Sequence, residues 1–127
     1  MLKAVLVVED DPSTLSGYVE YLTEAGFEAT GFNDPSRALA VAFNAPPAAV
    51  VTDITMPGMD GFALAKALHQ DSRTRHVPVI GLTAHWYAEV KSRAAAAAMR
   101  TVLLKPCSPA HLVAELERVL VSLTRAR

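Results

Sequence analysis

Five side chains in this sequence stand where an apolar run stops. The run Ala4–Val8 gives way to Glu9 and Asp10, the run 48–52 to Asp53, the run 77–82 to Thr83, and Thr101–Leu104 to Lys105. Gathered in one place, three carboxylates, a hydroxyl and an ammonium have a definite chemistry. Carboxylates within ~4–6 Å of each other repel and raise each other's pKa, and a divalent cation relieves the conflict. Hard oxygen ligands completed by water suit Mg²⁺, held at roughly 2.0–2.1 Å in an octahedron. A carboxylate beside such an ion can attack phosphorus and form an aspartyl phosphate. The transferring phosphoryl group carries charge on three oxygens. Mg²⁺, the Lys105 ammonium and the Thr83 hydroxyl could each take one, and phosphoryl transfer depends mainly on such positioning and charge.

Each residue also has an ordinary reading. Asp53 could cap a turn. The acids 9–11 could cap a helix, as could Thr83. Lys105 could simply reach water on its apolar stem. The joint reading needs all five at one edge of one sheet, so it depends on the elements that carry them.

Ala4–Val8 is apolar and β-branched throughout, as in a strand covered on both faces. Pro12 and Ser13 open a helix with Leu15, Tyr18, Val19 and Leu22 at helical spacing and Gly26 as its stop. A shorter strand, 27–32, carries Glu28 and Thr30 and suits a sheet edge. Asp34 and Pro35 begin a second helix with Ala38, Leu39, Ala42 and Phe43, which Pro46 and Pro47 end. The strand 48–52 leads to Asp53 and a loop rich in Pro and Gly. Phe62, Leu64, Ala65 and Leu68 mark a third helix ending near Asp71. The strand 77–83 follows, with Pro78 near its start. A fourth helix over 87–99 includes consecutive alanines at 94–98, the strongest helix formers. After the strand Thr101–Leu104, Ser108 and Pro109 cap a last helix. Its stripe of Leu112, Val113, Leu116, Val119, Leu120 and Leu123 is chiefly core, and broad enough to leave room for a homodimer or partner contact.

Strict βα alternation implies an α/β fold: a doubly wound parallel sheet with helices on both faces and right-handed crossovers. A five-stranded, flavodoxin-like sheet has the order 2-1-3-4-5, and a crevice opens between strands 1 and 3 at their carboxyl ends. That crevice would receive Glu9, Asp10 and Asp53, with Thr83 and Lys105 on the next strands over.

Composition is consistent with this. The 127 residues are 51% hydrophobic and 20% charged, with net charge −1, which suits one globular domain spanning 1–127. Charge so balanced lacks the concentrated basic surface of a nucleic-acid binder; Arg73, Arg75 and His76 read as solvated surface. One cysteine, Cys107, allows no internal disulfide, which fits a reducing compartment. The start is too short for a signal peptide, and no apolar run approaches a membrane span. A soluble cytoplasmic domain without membrane insertion is the expectation.

Four stretches carry a family resemblance: Val7-Val8-Glu9-Asp10-Asp11, the stretch 53–61 (Asp-Ile-Thr-Met-Pro-Gly-Met-Asp-Gly), Leu82-Thr83-Ala84 and Leu104-Lys105-Pro106. Over almost the whole chain the sequence resembles a CheY-like receiver domain of the response-regulator family of two-component signalling. The resemblance implies that Asp53 accepts a phosphoryl group from a phosphohistidine of a histidine kinase or histidine phosphotransfer protein. It implies that Asp10, Asp53 and the Thr55 backbone carbonyl bind Mg²⁺ directly, that Glu9 acts through water, and that the Lys105–Pro106 bond is cis. Three positions depart from the family pattern. Val102 stands where a switch aromatic is common, Ala98-Met99-Arg100 where Gly usually precedes strand 5, and Cys107 where an aromatic is common. His85 and Thr55 hold positions that tune dephosphorylation in the family.

An acyl phosphate at Asp53 adds about one negative charge and three acceptor oxygens. If Thr83 and Lys105 turn toward it, the fourth helix and the loop before it should shift, together with the adjoining face of strand 5 and helix 5. Trp86 lies in that loop and is expected to report the change by fluorescence. Two other functions compete. An aspartyl-phosphate hydrolase would usually carry its nucleophile after the first strand with a second Asp two residues on; here it follows the third strand and position 55 is Thr. A phosphorylation-independent interaction module would have no use for the acid, Thr and Lys set. The downstream target cannot be read from this sequence.

Overall fold

In the computed structural model, residues 2–85 and 87–125 are described, with side chains through Leu123. Trp86, the expected fluorescent reporter, lies outside the described residues. The elements alternate: β1 (Ala4–Val8), α1 (Pro12–Glu24), β2 (Glu28–Phe32), α2 (Pro35–Asn44), β3 (Ala49–Asp53), α3 (Gly61–Gln70), β4 (Val79–Thr83), α4 (Ala88–Ala96), β5 (Thr101–Leu104) and α5 (Pro109–Arg125). All strand pairs are parallel and the sheet order is β2-β1-β3-β4-β5. The expected order is therefore observed, with its reversal between β1 and β3.

The sheet separates two apolar layers. Val5 and Val7 of β1 point into one with Tyr18, Leu22, Leu112, Leu116 and Val119. Leu6 and Val8 point into the other with Ala38, Ala42, Leu64, Ala65 and Leu68. Successive side chains of a strand face opposite ways, so a continuously apolar strand is the one that can serve both layers. The polar edge strand β2 has no residue in the fully buried class.

Helix starts follow the sequence closely. Asp11, Asp34 and Asp60 each accept a backbone N–H from the first turn of α1, α2 and α3, and Ser108 Oγ accepts the His111 N–H at 3.1 Å. The strands expected from 27, 48 and 77 begin at Glu28, Ala49 and Val79, and the helix expected from 87 begins at Ala88; two further differences bear on the site. Asp53 belongs to β3, in register with Leu82 of β4. The fourth helix, expected through Met99, ends at Ala96. There the Ala98 N–H donates to Ala95 (3.1 Å) and the Met99 N–H to Ala94 (3.0 Å), with Ala98 at φ 62°. This C-terminal closure turns Met99 back onto the core and overrides the helix propensity of the alanine run.

Candidate functional site

The carboxyl ends of β1 and β3 bring Glu9, Asp10 and Asp53 together: one oxygen of each lies within 4.8 Å of the others. Their settings differ. Glu9 is 2% exposed and Asp53 7%, while Asp10 opens to solvent. The Glu9 N–H donates to the Phe32 carbonyl at 3.0 Å, which fixes the backbone just beyond β1. Asp11, next along, turns outward to cap α1, accepting from the Thr14 N–H at 2.9 Å. Helix capping thus falls to Asp11 and leaves Glu9 and Asp10 for the crevice.

Lys105 reaches the same crevice from β5. Its Nζ lies 2.9 Å from Glu9 Oε1 and 3.3 Å from Asp53 Oδ2. The Lys105–Pro106 bond is cis, as expected. Two hydrogen bonds hold the backbone around Lys105. The Lys105 N–H donates to the Thr83 carbonyl at 2.6 Å. The buried Tyr18 hydroxyl donates to the Cys107 carbonyl at 3.0 Å, tying α1 to this turn. Burial opposes the Lys105 charge, but the bond to Glu9 and the attraction of Asp53 outweigh it, and the ammonium's pKa is raised.

Glu9 bears the strain of this crowding. Burial, reinforced by the adjacent Asp53, pushes its pKa up to about 7 despite Lys105. Its Oε2 is buried and has no hydrogen-bond partner among the described residues. A carboxylate oxygen in that condition is costly. An orphaned oxygen inside an all-carboxylate cluster is what a hard divalent cation with its shell of water would satisfy. The residues present therefore fit Mg²⁺.

Thr83 is 2% exposed at the end of β4, opposite Leu104. Its hydroxyl donates to the His85 carbonyl (3.0 Å) and accepts the His85 N–H (3.1 Å). It does not cap α4: the N-cap there is Tyr87, with no side-chain bond. Thr83 instead pins the turn that leads into α4. Thr55 is exposed on the loop after β3, and His85 is exposed and stacks on Tyr87 at 5.9 Å between ring centroids.

Gly61 is a determinant that reasoning from residue chemistry passed over. Its N–H donates to the Ile54 carbonyl at 2.9 Å. A Cβ there would stand 2.5 Å from the Asp53 carbonyl oxygen and 2.8 Å from Ile54 Cα. The loop after Asp53 folds back so tightly that only glycine fits. The Asp60-Gly61 pair at the head of a helix was the available signal. Val102 is half-buried against the same layer as Met99 and pairs with Gly81 of β4, where a Cβ would stand 2.9 Å from the Met99 sulfur.

A cavity of about 760 Å³ lies between α1 and β2, and none of the five predicted site residues lines it. A second, of about 370 Å³, borders Thr55 and Thr83 and extends to α4. The chemistry, not the larger volume, locates the site.

A five-stranded parallel sheet of order β2-β1-β3-β4-β5, with three acids converging at its topological switch point and a lysine reaching them, defines a doubly wound α/β protein of the flavodoxin-like class. The family described as "Response regulator receiver domain" matches residues 5–117, and the chain belongs to it. The phosphate regulon transcriptional regulatory protein PhoB of Pseudomonas aeruginosa is 31% identical over 118 residues, 93% of this chain and 52% of PhoB. The chain thus spans about half the length of that relative. Chemotaxis protein CheY4 of Vibrio cholerae superposes with TM-score 0.89 at 32% identity, covering 94% of this chain and 99% of that one. The receiver domain of sensor histidine kinase PA1611 of P. aeruginosa, described with magnesium coordinated in its active site cleft, gives 0.85 at 27% identity over 94% and 98%.

Proposed function

We propose that this receiver domain, as one unit spanning 1–127, is a phosphorylation-dependent signalling switch. Asp53 is the acceptor. The observation that carries the reading is the convergence of Glu9, Asp10 and Asp53 oxygens within 4.8 Å, with Lys105 Nζ 3.3 Å from Asp53 Oδ2. Asp10, Asp53 and the Thr55 carbonyl would hold Mg²⁺, with Glu9 acting through water. The ion, when bound, neutralises charge on the carboxylates and on the phosphoryl oxygens. The magnesium described in the PA1611 receiver supports this assignment.

An Asp53 oxygen attacks phosphorus of a phosphohistidine on a histidine kinase or phosphotransfer protein. The P–N bond breaks, its electron pair stays on the imidazole, and the imidazole takes up a proton. Lys105 lies beside the acceptor and can pass from the carboxylates to a phosphoryl oxygen. Thr83 can exchange its bonds to His85 for another phosphoryl oxygen, freeing the turn into α4. Charge-assisted hydrogen bonds at about 1.5–3 kcal/mol each could together approach the ~5.5 kcal/mol that takes a switch from 1:99 to 99:1. The domain changes only its own phosphorylation state and acts in the cytoplasm. No helix among the described residues is long and apolar enough to cross a membrane.

The test is mass spectrometry after incubation with acetyl phosphate and Mg²⁺. Wild type should gain one phosphoryl group on Asp53, and Asp53→Asn none. Rapid turnover of acetyl phosphate without a stable adduct would favour a hydrolase instead. Signalling retained in full by Asp53→Asn would favour the interaction module.

A further inference from the structure

Among the described helices, α4 has little apolar anchorage. Ala94 is its one buried residue, and Val90 packs only partly against the same layer. Small side chains bury little area, and segments with few apolar contacts open at low free energy. Its start lacks a side-chain cap and hangs from the turn pinned by the Thr83 hydroxyl.

One long side chain crosses from α4 to the start of α3, the segment that follows the acceptor loop. The Arg93 guanidinium lies 4.4 Å over the Phe62 ring and 3.6 Å from Asp60 Oδ2. Both partners belong to the start of α3: Asp60 caps it, and Phe62 follows Gly61, which is jammed against the Asp53 carbonyl. The wall that positions the acceptor is thus the wall that Arg93 grips. The 370 Å³ cavity is lined by Thr55 and Thr83 together with Asp60, Phe62 and Arg93. An Arg pair that is half exposed is weak and easily broken, which suits a contact that must open.

We propose that Arg93 is the latch coupling α4 to the phosphoryl site. In the resting state it holds α4 against the start of α3. When Thr83 abandons His85 for the phosphoryl group, the entry to α4 loses its pin, the latch opens and α4 is released. This gives the chain a route from site to surface that does not pass through position 102. The inference rests on Asp53 being the acceptor, so its test separates the two.

Hydrogen exchange of α4 amides, read by mass spectrometry, measures the latch directly. In the resting protein, Arg93→Met should speed exchange in α4 at least fivefold while α1 and α5 keep their rates. Asp60→Asn retains the α3 cap oxygen, removes the ion pair and should act in the same direction. It serves as the second variant if Arg93→Met folds poorly. After acetyl phosphate and Mg²⁺, with the adduct verified by mass, wild-type α4 should move toward the rate of the variants, and the variants should change less than twofold. The latch is overturned if resting α4 exchange is the same in wild type and both variants. Phosphorylated variants that respond as fully as wild type overturn it too, as does phosphorylation that slows wild-type α4. Failure of wild type to form any Asp53 adduct sinks the acceptor assignment instead, while the resting comparison still reads the latch.

Discussion

Ala98 closes α4 with the same pair of hydrogen bonds by which Gly26 closes α1. The Gly26 N–H donates to Thr23 and the Phe27 N–H to Leu22, as Ala98 and Met99 donate to Ala95 and Ala94. Both residues have positive φ, 101° for Gly26 and 62° for Ala98. A left-handed alanine costs roughly 1–2 kcal/mol that glycine does not, less the unfolded-state freedom glycine adds, about 0.4–1 kcal/mol. Ala98→Gly should therefore stabilise the domain by about 0.5–1 kcal/mol. Urea unfolding checks this, and an unchanged or lower midpoint contradicts it.

The pH dependence of metal-free stability should carry the signature of Glu9. Its pKa is 4.5 when free and about 7 in the fold. Below pH 4.5 folded and unfolded chains both hold the proton. Between the two values only the folded chain holds it, so stability falls as pH rises through this window and levels off above about 7. Glu9→Gln should flatten the slope, and so should saturating Mg²⁺, which favours the ionised carboxylate. Denaturant midpoints at a series of pH values with EDTA and with Mg²⁺ provide the measurement.

Lys105→Met should expose the repulsion that the ammonium now offsets. Without metal it should cost about 1–3 kcal/mol at pH 8, below the usual range for a broken buried pair because Lys105 keeps some solvent contact. The loss should be smaller at pH 5, where Glu9 takes up a proton, and Mg²⁺ should recover part of it. Equal losses under all three conditions would mean that Lys105 acts through packing alone.

Two glycines provide a matched pair. Gly61→Ala forces a Cβ against the Asp53 backbone and should cost about 1–3 kcal/mol, with slower labelling of Asp53 by acetyl phosphate. Gly17 lies within α1 with nothing within 4 Å of its would-be Cβ. Gly17→Ala should gain roughly 0.5–1 kcal/mol and leave labelling unchanged. Thermal melts and labelling rates on the same samples decide both.

The sequence by itself determined the element order, the sheet order and the five residues at the carboxyl edge. These are local and periodic facts: apolar runs of strand length, the Asp34 cap before Pro35, and a strict βα alternation that admits few topologies. Ala4–Val8 and Thr101–Leu104 are strands with the expected ends. Tertiary structure alone decided which partner each polar group takes, because those contacts join residues far apart in the chain. The pairing of Lys105 with Glu9 and the reach of Arg93 across to Asp60 and Phe62 of α3 are of this kind. The early end of α4 is the clearest case. Alanine propensity favours continuing the helix, but Met99 is drawn over Gly81 into the layer beneath, and the backbone at Ala98 turns left-handed to let it.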